Sequence, residues 1–500
     1  MTQYSYSLTN SNNSKTIIFI GNGDRNTGQT VELLSKNLQM SYRGVMSGDT
    51  VKQDGVYHTS SYDIKPVELK LKLELSDTVV VLDFNDADFN IINAYYETLD
   101  LAESMVGSAH VTFLNDNMRN VFRTILKENK SFCIHPFIQL FKKDNAMRSC
   151  CMMTDAVTDN YTDFVNDLSL TSIRQRMLKG ELIESHCSVC YRLEHMGAPS
   201  TRQSDTIEWA DRLKIKLLSD LAKYTEPVFI DIRLNNKCNA MCRSCRPGSS
   251  DLIDKEYTKL KLVNRSVGVT ANPEYDSIKL DHIQRMYVAG GEPSINEYFI
   301  KFLTRCIEQG TTDFELLIST NAAAISEKFA NLIANFSNVR FLISVDGLDN
   351  LNNYIRYPII WDKLIQNIDL LDSIAKGRIT FNSVISIYNG GMLFPLFDFL
   401  QSKYPHAQNS FSILSSPSFQ RIDNFPNKEV ALADLEKVKT LKFYKKYPTF
   451  RSEIDALINL ISTSKIDYMA LEKFFEFNDK LDQSRSMNLQ DYNPILDNAR

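Results

Sequence analysis

An α/β fold built on a parallel sheet is predicted for this 500-residue chain, and three observations predict it. From Pro227 to about Pro417, short apolar runs alternate with amphipathic helical stretches, strand then helix. The first run, Val228 to Leu234, empties into a loop carrying Cys238, Cys242 and Cys245 at the spacing C-x3-C-x2-C. The second ends at Ala289 and is followed at once by Gly290-Gly291-Glu292-Pro293. Chemistry-bearing residues thus fall at the carboxyl ends of strands, where parallel barrels place their sites.

The remaining strand readings are Arg285 to Ala289, Phe314 to Ser319, Val339 to Val345, Ile379 to Ile387 and Ser410 to Leu414. Glu297 to Glu308, Ser326 to Asn335, Trp361 to Ala375 and Met392 to Lys403 read as the intervening helices. Before this region, residues 1–130 read as a separate α/β domain of unknown role, with strands at Thr16 to Ile20, Thr78 to Phe84 and His110 to Leu114 and a helix at Val31 to Leu38. Its loop from Gly23 to Thr30 approaches the phosphate-cradling G-x4-G-K-[ST], but Gln29 stands where lysine would reach the outer phosphates. A plain strand-to-helix turn is the better reading. After the barrel, residues 427–500 read as a helical cap or tail with a solvated face, including helices over Val430 to Tyr444 and Ile454 to Ile461.

Composition bounds the function. With 43% hydrophobic and 23% charged residues the chain is an ordinary globular sequence, and a net charge of -5 gives no basic excess that would indicate nucleic acid. The N-terminus has no charged n-region before an apolar core, and no apolar run approaches the ~20 residues of a membrane span. A cytoplasmic protein without a membrane is expected. The odd count of nine cysteines, grouped in pairs and triplets, suits metal ligation in a reducing compartment better than disulfides.

Three thiolates within one turn of loop suit an iron-sulfur cubane better than zinc, which closes its structural sites with four ligands. A cubane with three cysteine ligands leaves one iron open, able to chelate a small molecule through its amine and carboxylate. A second cysteine group lies upstream: Cys133, the adjacent pair Cys150 and Cys151, and Cys187-x2-Cys190. Strands at Ile134 to Phe141 and Ala146 to Met152, turned at Lys143-Asp144-Asn145, would form a hairpin between Cys133 and the pair. Either a second cluster or a structural zinc fits these ligands. Strand alternation sends Cys150 and Cys151 to opposite faces, so one of them serves, with Cys150 favoured.

The C-x3-C-x2-C loop and the GGEP segment together resemble the radical S-adenosylmethionine superfamily, whose members carry an open, TIM-like (β/α)6 barrel. The resemblance covers about residues 131 to 417. It implies a [4Fe-4S] cluster on Cys238, Cys242 and Cys245 with S-adenosyl-L-methionine on its open iron, its ammonium cradled by Gly290, Gly291, Glu292 and Pro293. Strand-end polar residues, Ser319 and Asn321, Ser344 and Asp346, and Ser383 and Ser386, become candidates for its ribose and carboxylate, with Arg356 a further candidate for the carboxylate. Ser244 stands where many members have an aromatic residue before the third cysteine, so adenine must pack elsewhere.

The second cysteine group is similar to the auxiliary-cluster module of the members called SPASM or twitch proteins. Asn145 replaces the turn glycine and the module precedes the barrel instead of following it. Glu194, Gly197, Ser200 and Arg202 continue a C-x2-C-x3-E-x2-G-x2-S-x-R spacing associated with the same proteins. The resemblance thus implies residues 131–205 as a cysteine-rich module and 225–417 as the barrel. It further implies hydrogen abstraction by a 5'-deoxyadenosyl radical from a peptide or protein, and a reducing donor such as flavodoxin or ferredoxin. A small-molecule enzyme acting on a sugar or nucleoside, and a non-catalytic metal-binding or electron-relay protein, are the alternatives.

Overall fold

The computed structural model describes residues 131–498 except 145, 154–156, 179, 196–199, 214, 216–220, 222–223, 225 and 274–277, with the backbone alone of six strands among residues 4–82. The Gly23 to Thr30 loop, the helix at Val31 to Leu38, the strand at His110 to Leu114, Asn145 and Gly197 lie outside the described residues. The chain divides into two compact units, residues 1–138, 152–155 and 166–226 in one, and residues 139–151, 156–165 and 227–500 in the other.

In the first unit, β1 (Tyr4–Thr9), β2 (Thr16–Gly21), β3 (Ser41–Ser47) and β6 (Thr78–Leu82) form a sheet in the order β3-β1-β2-β6, while β4 (Val51–Gln53) and β5 (Val56–His58) pair separately. The expected strands at Thr16 and Thr78 are present and run parallel to each other. The segment beginning at Ile134, expected as a strand, is instead a helical turn, α1 (His135–Ile138). Pro136 explains the difference, since its ring fixes a helix-like φ and it has no N–H to give to a ladder. Helices α2 (Leu168–Leu178), α3 (Glu184–His195) and α4 (Thr201–Arg212) follow.

The second unit is organised by an eight-stranded sheet, β7 (Gln139–Lys143), β8 (Ala146–Arg148), β9 (Phe229–Arg233), β10 (Arg285–Ala289), β11 (Glu315–Thr320), β12 (Val339–Ser344), β13 (Ile379–Ile385) and β14 (Gln408–Ile413), in the order β14-β13-β12-β11-β10-β9-β7-β8. The six expected barrel strands are there, in sequence order and parallel. β7 adds a further parallel strand, pairing Leu140 with Ile230, and β8 returns antiparallel beside it. The sheet stays open at its two edges, as a partial barrel does. Helices α5 (Asp251–Lys259), α6 (Glu297–Glu308), α7 (Glu327–Ile333), α8 (Asn350–Ile355), α9 (Trp361–Ala375) and α10 (Leu393–Lys403) connect the strands.

Parallel pairing keeps residues of one parity on one face across the sheet. Ile230, Met286, Leu316, Phe341 and Phe381 share the fully buried face. Each such side chain contributes about 1.5–3 kcal/mol by leaving water, which fixes the register of the whole sheet. The other parity lines the lumen and is largely polar, with Asp231, Tyr287, Ser319, Ser344 and Asn382 beside Leu317 and Leu342.

The C-terminal region is helical, as expected, and one face of its last long helix is buried in the barrel unit. After α11 (Lys428–Val438) and α12 (Pro448–Thr463), helix α13 (Tyr468–Arg485) buries Leu471, Phe474, Asn478, Leu481, Asp482 and Arg485 along one stripe. Leu481 joins Ile253 and Tyr257 in a core to which Met241 and Cys245 of the cysteine loop pack. A helix with this spacing of buried positions is a core element of the barrel unit.

Candidate active site at the cysteine loop

The loop after β9 is anchored residue by residue. Leu234 N–H donates to Ala289 O at 2.7 Å, Glu292 N–H to Lys237 O at 2.9 Å, and Cys238 N–H to the Asp251 carboxylate at 3.1 Å. Further along, Ser250 Oγ donates to Ala240 O, Met241 N–H to Tyr357 O at 2.6 Å and Arg243 N–H to Ile355 O at 2.8 Å. Backbone groups in a loop this buried need such partners, and here they come from the top of β10, the start of α5 and the end of α8. Cys242 is buried, and Cys238 and Cys245 are half-buried. Burial pushes all three thiols up, Cys242 to about 11, although Arg356 beside it pulls downward. A metal that takes them as thiolates therefore releases protons on binding.

The glycines of the GGEP segment are explained by this loop. Gly290 has φ +99° and Gly291 φ +48°, the left-handed region, and a Cβ on Gly291 would lie 2.2 Å from Lys237 O and 2.6 Å from Asn235 O. The close approach is to the cysteine loop's own backbone. Pro293 is buried and opens a short helical turn. The Glu292 carboxylate, only 1% exposed, accepts from Ser294 N–H and Oγ, from Thr320 Oγ1 at 2.6 Å and from Asn321 N–H at 2.7 Å. Burial raises its pKa while those bonds lower it. The carboxylate ties the ends of β10 and β11 together.

Asn321, held by Glu292, turns its Nδ2 toward Asn239 Oδ1 at 2.8 Å and Cys238 Sγ at 3.8 Å. Of the other strand-end candidates, Ser319 and Ser344 are half-buried on the lumen face. Asp346 is fully buried, accepting from Arg356 Nη1 at 2.7 Å and Val384 N–H at 2.8 Å. Ser383 has the parity of Phe381, lies on the helix-covered face and donates to Val345 O, which makes Asn382 its lumen-side neighbour. Ser386 is buried and caps the turn after β13. Arg356 is 8% exposed, and its charge lies near Cys242 and Cys245.

Sequence reasoning missed the charged floor of the lumen. Asp231 pairs with Arg233 at 3.0 Å, and Arg233 lies over the rings of Tyr287 and Phe141. Glu315 accepts from both Arg285 and Arg340. Parity in β9 to β12 is the signal that could have found them.

In the first unit, Cys133, Cys187 and Cys190 lie near one another, and burial pushes Cys187 up to about 12, with the other two adding to the shift. Cys187 and Cys190 lie on helix α3, not on a loop, one turn apart and so on one face. The longer spacing now has a reason. Glu194, one turn on, accepts from Ser200 Oγ and from Arg202 Nε at 2.9 Å, and Arg202 Nη1 donates to Phe132 O at 2.6 Å, next to Cys133. The E, S and R positions fasten the Cys133 segment to the helix with the other two thiols. His135, unmarked by any motif, is buried here with Nε2 2.9 Å from Asp205. Cys150 and Cys151 belong to the barrel unit.

Among the described residues, no three His, Cys, Asp or Glu side chains converge as they would around a single ion. Also among the described residues, no helix is long and apolar enough to cross a membrane.

Replacing Glu292 with Ala would strip the acceptor from four buried donors, Ser294 N–H and Oγ, Thr320 Oγ1 and Asn321 N–H, whose charge-assisted bonds are worth about 1.5–3 kcal/mol each. The expected result is a lower melting temperature, read by calorimetry. An unchanged melt would show that the carboxylate is no buttress.

Residues 232–388 match the model of the Radical SAM superfamily. Among solved structures, the chain is similar to Streptococcus suis SuiB bound to S-adenosylmethionine (18% identity, 56% of this chain and 62% of that one, TM-score 0.30). It is also similar to SuiB bound to the precursor peptide SuiA (17%, 54% and 61%, 0.28) and to native anSMEcpe with bound AdoMet and Cp18Cys peptide (14%, 42% and 58%, 0.29). All are distant likenesses, and the chain spans about three fifths of the length of these structures. No curated protein matches it. The matched stretch runs from β9 to just beyond β13 and so covers the middle of the barrel sheet.

Proposed function

Taking the barrel, on its match over residues 232–388, as a radical SAM barrel, we propose that the chain cleaves S-adenosylmethionine reductively and abstracts hydrogen from a peptide or protein. The observation that carries the reading is the cysteine loop, with three thiols on a backbone anchored at β10, α5 and α8 and packed directly on Gly290 and Gly291. A [4Fe-4S] cluster there, reduced by a flavodoxin- or ferredoxin-like donor, would supply the electron that splits the sulfonium to methionine and a 5'-deoxyadenosyl radical. Cys238, Cys242 and Cys245 would hold three irons and leave the fourth for the amine and carboxylate. Asn321 orients its amide toward the Cys238 sulfur, and the Gly290–Pro293 segment walls the ammonium side. Ser319, Ser344 and Asn382 offer hydroxyl and amide groups along the lumen, and proximity is what these groups contribute.

The peptide reading rests on the second cysteine group, taken as an auxiliary [4Fe-4S] site with Cys133, Cys187 and Cys190 among its ligands. The polar lumen favours a second reading, a sugar or nucleoside substrate whose hydroxyls those side chains would bind. Anaerobically reconstituted protein given S-adenosylmethionine and dithionite is expected to release 5'-deoxyadenosine, read by chromatography. A cluster-loaded chain that releases none would reject the enzyme reading.

A further inference from the structure

We propose that Arg243, which lies between two cluster cysteines, is a positioning residue that holds the cysteine loop in its ligating form, and that helix α13 is thereby part of the cluster site. The inference rests on the reading of Cys238, Cys242 and Cys245 as cluster ligands. Arg243 is 0% exposed although it occupies a loop of a chain rich in surface charge. A guanidinium is buried only where its five donors find partners. Here Nε donates to Tyr354 O at 3.0 Å, Nη1 to Asn478 Oδ1 at 2.7 Å and Nη2 to Asp482 Oδ1 at 2.5 Å. The group lies 3.6 Å from the centroid of the Tyr354 ring, whose hydroxyl itself donates to Asp482 at 2.9 Å.

This clasp acts in one direction. Cys242 and Cys245 flank Arg243, and the side chain between them is drawn away into a pocket made by α8 and by α13, more than two hundred residues later in the chain. The backbone is fixed as well, since Arg243 N–H donates to Ile355 O and Gln420 Nε2 donates to Arg243 O at 3.0 Å. The loop therefore cannot rotate about Arg243 without breaking bonds to three separate elements. A second tie, Arg485 to Glu256 at 2.9 Å, fastens the end of α13 to α5, which follows the loop. Spacing between Cys242 and Cys245 is set by this anchor, and a cubane needs that spacing held before iron arrives.

The test uses the full chain with Arg243→Lys, Asp482→Asn and Tyr354→Phe. Lysine keeps the charge but cannot reach two partners at once, asparagine removes the ion pair, and phenylalanine keeps the ring while losing the hydroxyl. Each reconstituted variant is followed for iron loss to excess chelator, for the electron paramagnetic resonance of the reduced cluster with and without S-adenosylmethionine, and for thermal melting. Expected are at least fivefold faster iron loss in Asp482→Asn and Arg243→Lys, a smaller loss in Tyr354→Phe, and a resonance altered in all three. Folding alone would not change the resonance of variants that melt like the parent. Folded variants with the parent's iron retention and spectrum would overturn the clamp. If Asp482→Asn does not fold, Tyr354→Phe decides by the same two readouts. A parent chain that assembles no barrel cluster would reject the underlying reading instead.

Discussion

Changing Cys238, Cys242 and Cys245 together to Ala is expected to abolish release of 5'-deoxyadenosine while leaving the chain folded. The three side chains are small, and the backbone that carries them is anchored by bonds their removal does not touch, such as Leu234 N–H to Ala289 O and Arg243 N–H to Ile355 O. Loss of Cys242, the most buried of the three, leaves a small cavity of the kind that costs about 1 kcal/mol or less. Loss of all three removes every protein ligand of the proposed cluster. The same variant isolates the second cysteine group. About four irons per chain should remain, as a cubane requires, with the broad absorbance of a cluster. Zinc without iron would make that group a structural knot held by Arg202 and Glu194. Unchanged turnover in the triple variant would sink the barrel assignment altogether.

The barrel was legible in the sequence because its two periodicities are clean. Arg285 to Ala289 as a strand, and Glu297 to Glu308 and Trp361 to Ala375 as helices, appear in the structure at the expected residues. Each carries its own local signal, a short apolar run or an apolar stripe. What was not legible is long-range. Nothing near Leu140 indicates that it pairs with Ile230, and nothing in α13 indicates that Asn478 and Asp482 receive Arg243. The polar residues of that helix look like surface until their partner is known.

Other misses had a signal that could have been used. In β13, Ile379 and Phe381 set the parity of the covered face, and Ser383 falls in step with them while Asn382 does not. In α1, Pro136 spoke against a strand. The role of Glu292 lies between these cases. Its position in the motif was evident, but its bonds to Ser294, Thr320 and Asn321 depend on how the ends of two neighbouring strands meet.

Gly291→Val is expected to prevent assembly of the barrel cluster, a stronger outcome than loss of cofactor binding alone. Two penalties act at this position, and they can be separated. The first is conformational: a β-branched residue at φ +48° is a steric outlier, and a left-handed residue costs roughly 1–2 kcal/mol. The second is overlap. A Cβ at Gly291 would stand 2.2 Å from Lys237 O, 2.6 Å from Asn235 O and 2.9 Å from Lys237 C, all backbone atoms of the cysteine loop. No side chain can swing aside to relieve contacts with main chain, so the loop itself must move, and Cys238 follows Lys237 directly. Gly310 supplies the control, because it has φ +68° but a Cβ added there would meet nothing within 4 Å. Gly310→Val therefore carries the conformational penalty without the overlap. After anaerobic reconstitution, iron and sulfide above the level of the triple-Ala chain should match the parent in Gly310→Val and fall below a tenth of it in Gly291→Val. Equal loading of the two valine variants would mean that the loop accommodates the overlap, and that the paired glycines serve only the cofactor.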